Sequence, residues 1–148
     1  MRRLTQLVPD IREALEQGLE ETAQAIVTDL KERGPYWTGQ FETLWEVLPG
    51  QRAVPANIAL VETWRPTPAQ RQITDVEIPA SPNLGGYTIG NRADYRLFAM
   101  DVLPSVGRKR GDKKGRTAVK NWYGIYREGG PMARTINSTL TNVFRRFQ

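Results

Sequence analysis

The chain has 148 residues, 39% of them hydrophobic and 25% charged, with four Trp and four Phe; one domain of this length buries about 70% of its unfolded surface and folds without a metal or a disulfide. It contains no Cys and no His, which excludes thiolate nucleophiles, disulfides and Cys-ligated zinc and removes the usual general base near neutral pH. Ser occurs only at Ser81, Ser105 and Ser138, never in a G-x-S-x-G elbow, so the expectation is a single-domain protein that is not an enzyme and holds no metal or cofactor.

Met1-Arg2-Arg3-Leu4 is basic, but no apolar stretch follows it, and nowhere do apolar residues run near 18 in length. Neither a secretory signal nor a membrane span is expected. Asn137-Ser138-Thr139 fits the glycosylation pattern and is read as chance in a chain kept in a cytoplasm-like compartment.

Helical spacing is clearest at the start: Ile11, Ala14, Leu15, Leu19, Ala23, Ile26, Val27 and Leu30 recur three and four apart, with charged residues between them. Pro9 suits the first helical position and Gly34-Pro35 a terminus, which predicts a helix over 9–33, about 37 Å long. From Phe41 the period becomes two: Phe41, Thr43, Trp45 and Val47 predict a strand ending at Pro49-Gly50. Further strands are predicted from Ile58 to Trp64, at Thr74, Val76 and Ile78, and at Tyr87 and Ile89. Arg92 to Leu103 reads as a short helix or turn that packs aromatics onto the sheet. Ser105 to Asn121, glycine-punctuated and nearly free of apolar residues, reads as a long exposed loop, and Trp122 to Tyr126 as a returning strand. After Gly129-Gly130-Pro131, the residues Met132, Ala133, Ile136, Leu140, Val143, Phe144 and Phe147 predict a C-terminal helix. The expected fold is α+β: a long N-terminal helix, a small mainly antiparallel sheet of three to five strands, and a C-terminal helix packed on the sheet.

Charge is concentrated in the predicted loop. Arg108, Lys109, Arg110, Lys113, Lys114, Arg116 and Lys120 face only Asp112, a net +6 in a chain of +5, so all other residues together carry −1. Such a patch suits DNA phosphates or an acidic protein surface, or is a solvated loop kept soluble by its charge. No aromatics interleave with it, so sequence-specific base reading is not expected. Gly107, Gly111 and Gly115 match neither phosphate-binding glycine motif. Asp75 and Glu77, two apart on a predicted strand, project from one face as a Mg²⁺-binding pair would, or as an ordinary exposed acidic face does. Tyr36, Trp37, Phe41, Trp45 and Trp64 cluster around the first strands; they fill a core or, for Tyr36 and Trp37 beside the helix stop, anchor a subunit contact.

Three stretches carry a resemblance. Pro35-Tyr36-Trp37-Thr38-Gly39 and then Phe41 follow the amphipathic helix; Asn91 and Tyr95 lie four apart at a predicted strand end; Gly130-Pro131 opens the last helix. In this order they resemble the tail-completion, or minor tail component, proteins of long-tailed bacteriophages, which take part in head–tail joining. Phe41 stands where that family has Leu or another apolar residue, Arg96 where it has a small residue, and Gly129 where it has Phe. The resemblance implies a structural protein of the virion neck or tail, assembled in the host cytoplasm. It further implies a ring of six copies that contacts neck, connector or tail-tube proteins around the DNA passage. Thr38, Gly39, Asn91 and Tyr95 are its signature positions. A different reading of the same residues is a small nucleic-acid-binding accessory protein that uses the 108–120 basic segment.

Overall fold

The computed structural model describes residues 4–35, 40–60, 75–81, 84–100 and 121–147. Along the chain these form α1 (Leu4–Arg33), α2 (Gln40–Thr43), β1 (Trp45–Pro49), β2 (Tyr87–Asn91), α3 (Arg96–Met100), α4 (Trp122–Glu128) and α5 (Pro131–Arg146). The class is α+β, with a long first helix, an antiparallel β-ribbon and a C-terminal helix.

α1 is the spine. Ala14, Ala23, Val27 and Leu30 are its buried stripe, as the three-and-four spacing requires, and Lys31 and Arg33 sit in the last turn, where they oppose the negative helix end. The helix starts at Leu4 rather than at residue 9, and Pro9 lies inside it. Pro9 lies beyond the four residues whose N–H groups have no helical partner, so it cannot donate the bond to the carbonyl four residues before it. Gly34 closes the helix with its N–H on the Leu30 carbonyl at 3.0 Å.

The ribbon is antiparallel, pairing Trp45 with Asn91, Val47 with Ile89 and Pro49 with Tyr87. Trp45 and Val47 share the buried face. Gly90 is required by packing: a Cβ there would meet the Val54 side chain at 2.6 Å.

Several expectations change. Phe41 and Thr43 belong to the short helix α2, not to a strand that begins there. Of the run from Ile58, Ile58 makes one parallel bridge to Ala93, while 61–64 lies outside the described residues. Residues 75–80 have no regular secondary structure, so the sheet has two strands among the described residues. Trp122 to Tyr126 is helical, not extended: Trp122 and Tyr126, one turn apart, both turn into the core. α3 is the expected short helix.

α5 begins as predicted, with Gly130 at φ +96° and Pro131 at the first helical position. It packs mainly on α1 and α4 rather than on the sheet, and α1 is the element that carries the ribbon. Gly18 marks the close approach of the two long helices, since a Cβ there would lie 3.0 Å from Leu140. One cluster joins Ala23, Val27, Leu30, Phe41, Trp45, Val47, Ala93, Ala99, Trp122 and Tyr126, with Met132 of α5 packed against it. Burying an aromatic of this kind stabilises by about 2–3 kcal/mol.

Candidate assembly surface

Of the positions singled out in the sequence, Phe41, Asn91 and Tyr95 meet at one joint. Asn91 ends β2 with no exposed surface. Its Nδ2 donates to the Phe41 carbonyl at 2.7 Å, and its Oδ1 accepts from the Ala93 N–H at 2.9 Å. One side chain thus ties α2 to the turn after β2. The next residue continues the seam, with the Arg92 N–H on the Leu44 carbonyl at 2.9 Å.

The aromatic layer lies over this joint. The Phe41 ring meets Trp45 edge-on at 5.7 Å and Tyr95 at 6.2 Å. Burial, helped by the negative charge of Asp94, pushes the Tyr95 hydroxyl above its ordinary range. Trp45 Nε1 and the Tyr95 hydroxyl are buried and make no hydrogen bond among the described residues. Arg96, which departs from the resembled pattern, closes the joint from outside: its Nη1 donates to the Val54 carbonyl at 2.8 Å and to the Asn91 carbonyl at 3.2 Å. A small residue there makes neither bond.

Asp29 is a second polar centre, which the sequence analysis missed. It accepts from the Tyr126 hydroxyl at 3.0 Å and from the Thr135 hydroxyl, so it joins α1, α4 and α5. Burial and the Asp29 carboxylate push the Tyr126 phenol well above its ordinary range. Arg33 lies over the Tyr126 ring, 5.5 Å from its centre. By spacing Asp29 reads as one of the charged residues of a solvated helix face, and its partners lie 97 and 106 residues away, so no local pattern marks it.

Asp75 and Glu77 lie on a stretch without regular secondary structure rather than on the predicted strand. Asp75 accepts from Gln24 Nε2 at 3.3 Å, and Gln24 Oε1 accepts from the Val76 N–H at 3.3 Å, so the 75–76 backbone is strapped to α1. Lys31 lies nearby and is buried; burial lowers its ammonium pKa, and the charges of Glu42 and Asp75 oppose that. Among the described residues no group of three or more carboxylates is arranged to hold a metal ion. No described helix is long and apolar enough to cross a membrane.

Tyr36, Trp37, Thr38 and Gly39 lie outside the described residues, and so do Arg108, Lys109, Arg110, Lys113, Lys114, Arg116 and Lys120. The described residues on either side of 101–120 come close together. Trp122 Nε1 donates to the Ala99 carbonyl at 2.9 Å, and the same ring packs against Gly34 at the end of α1.

The other end of α1 presents apolar surface. Val8 is 71% exposed, and Leu7, Ile11 and Leu84 are also exposed. Val8, Ile11, Leu15 and Leu84 line a cleft of about 330 Å³ that shares Arg12 with a cleft of about 530 Å³ containing Glu16, Glu20 and Tyr87. No protein family, no curated protein and no solved structure matches the chain.

Proposed function

We propose that the chain is a structural subunit of a bacteriophage neck or tail, forming a ring of six copies at the head–tail or tail-tube end interface in a tail-completion or terminator role. One observation carries this reading. Asn91, the most distinctive polar residue of the resembled pattern, is wholly buried and spends both ends of its amide on backbone groups. It acts as a joint rather than as a reacting group, and the rings of Phe41 and Tyr95 meet, tilted, at 6.2 Å. A protein that works by its surfaces needs such a rigid frame behind them.

The reading includes partners: further copies of the chain, neighbouring neck, connector or tail-tube proteins, and DNA in the lumen through non-specific contacts of the basic segment. It also keeps a sheet of three to five strands, with β1 and β2 as two of them; the bridge of Ile58 to Ala93 beside β2 favours that. It places the protein in the virion after assembly in the host cytoplasm.

The net +6 of residues 108–120 favours a second reading, a small accessory protein that binds nucleic acid as a monomer. Negative-stain imaging of the purified chain, together with DNA binding followed by fluorescence anisotropy across a salt series, separates the two. Rings with weak DNA affinity support the neck or tail reading. Single particles that bind DNA with a steep salt dependence refute it and favour the accessory protein.

A further inference from the structure

The exposed groove on the N-terminal half of α1 has a direction. At one end Val8, Ile11, Leu15 and Leu84 are apolar; at the other Glu16 and Glu20 bring acid. Arg12 joins the two ends and is itself held by Glu16 at 3.0 Å. Tyr87 registers the negative field, since burial and then the charges of Glu20 and Glu16 raise its phenol pKa. Leu84 adds a second sign of an interaction surface: it is exposed while its backbone sits at φ +56°, a conformation that a branched residue rarely adopts. From Val8 to Glu20 the groove runs about 18 Å along the helix, the length of roughly six extended residues.

We propose that this groove receives a second copy of the chain through the neighbour's 103–110 stretch, its apolar residues at the Val8 end and its basic residues at the Glu16 and Glu20 end. The match is one of order and sign. Leu103-Pro104-Ser105-Val106 is followed by Gly107 and then Arg108-Lys109-Arg110, apolar first and basic next, as in the groove.

Reach decides that the occupant comes from another copy. The Trp122 ring holds the Ala99 carbonyl within about 10 Å of Gly34, given one indole width and two contacts. Leu103 follows Ala99 by four residues, at most about 14 Å of extended chain. Val8 lies 26 residues before Gly34 on α1, about 39 Å away along the helix. Even fully extended, Leu103 falls short of the Val8 end of its own chain by about 15 Å. A contact between opposite ends of two copies propagates head to tail, which closes into a ring when the rotation between copies allows it. The inference rests on the reading that the chain assembles with its own copies, and it names the surface that does so.

The absence of native cysteine makes a direct test available. Full-length chain carrying Ile11→Cys is mixed with full-length chain carrying Val106→Cys and oxidised with copper–phenanthroline; a second pair uses Val8→Cys and Leu103→Cys. The expected result is a covalent dimer in each mixture and not in either single variant alone. A chain carrying both substitutions should give linked multimers, not an internal loop. No dimer from either pair overturns the inference, and so does an internal disulfide in the double variant. A charge swap gives an independent readout. Glu16→Lys with Glu20→Lys, or Arg108→Glu with Arg110→Glu, should each weaken self-association at least tenfold, and combining them should restore most of it. Self-association unchanged by either swap overturns the inference. Linked copies that never close into rings leave the groove contact standing and refute the ring. Rings insensitive to every substitution do the reverse.

Discussion

Replacing Asn91 by Ala tests the joint between α2 and the end of β2. The substitution removes the acceptor of the Ala93 N–H and one of two partners of the Phe41 carbonyl, which keeps the Leu44 N–H at 3.3 Å. A buried N–H left without a partner costs about 1–3 kcal/mol, and the lost bond to a still-satisfied carbonyl adds about 1 kcal/mol. The expected loss is therefore about 2–4 kcal/mol, a large part of the roughly 5–15 kcal/mol that holds a domain together. For a chain of this size that lowers the melting temperature by about 4–16 °C. Asn91→Asp separates the two ends of the amide. Its carboxylate still accepts from Ala93 but faces the Phe41 carbonyl without a proton to offer. Burial raises the pKa of such a carboxyl, so the folded state binds the proton more tightly than the unfolded state, and stability falls as pH rises through the gap between the two values. The Asp variant should thus regain stability on acidification, whereas the Ala variant should show no such gain. Urea denaturation and thermal unfolding followed by circular dichroism measure both. An Ala variant within about 0.5 kcal/mol of the native chain would refute the assignment of Asn91 as the joint, since that is the scale of an ordinary surface substitution.

Other perturbations follow from the same contacts. Gly90→Ala places a Cβ 2.6 Å from Val54 and should cost about 1–3 kcal/mol in urea denaturation; pairing it with Val54→Ala should recover part of that loss. Tyr126, with its pKa raised by burial and by Asp29, keeps its proton in the folded state at pH values where the unfolded chain releases it, so stability falls above about pH 10. Tyr126→Phe should reduce that alkaline slope by up to about 1.4 kcal/mol per pH unit and cost about 1 kcal/mol at neutral pH for the bond to Asp29. Glu21 is held below its ordinary pKa first by the hydrogen bond from Arg146, so its contribution is present above the unfolded value and is lost as pH falls through the folded one. Because the pair is solvent-exposed, Glu21→Gln should change the melting free energy by only a few tenths of a kcal/mol, and less in high salt.

The helices were legible where periodicity ran long enough to rule out alternatives. Ile11 to Leu30 offers five turns of one spacing, and Gly34 and Pro131 mark an end and a start by backbone chemistry alone. Shorter stretches misled for a physical reason. Phe41, Thr43, Trp45 and Val47 alternate, yet Thr43 folds its hydroxyl back onto the Gln40 carbonyl at 2.8 Å and closes a helical turn before the strand begins. Trp122, Tyr123 and Tyr126 favour strands by side-chain type, but tertiary burial of Trp122 and Tyr126 on one side selects the helix. The i, i+4 spacing of those two aromatics was the available signal.

The joint was legible in part. Asn91 and Tyr95 stood out through a resemblance in residue order, not through any local pattern, because the partners of Asn91 lie at Phe41 and Ala93 and one of them is 50 residues away. The bonds of Arg96 to Val54 and Asn91 had no signal at all, since an arginine in a mixed stretch reads as a solvated side chain. The C-terminal helix was foreseen, but its partner was not: Gly18 is the residue that lets α5 approach α1, and a single glycine in a helix does not name what it makes room for.

The central claim is that this protein acts by assembling through its surfaces, and the mass of the purified full-length chain in solution tests it most directly. Native mass spectrometry across concentration and salt should find one closed multiple of the 16.8 kDa chain, six copies in the arrangement proposed, that outlasts dilution into the micromolar range. A chain that stays monomeric at every concentration would contradict the account.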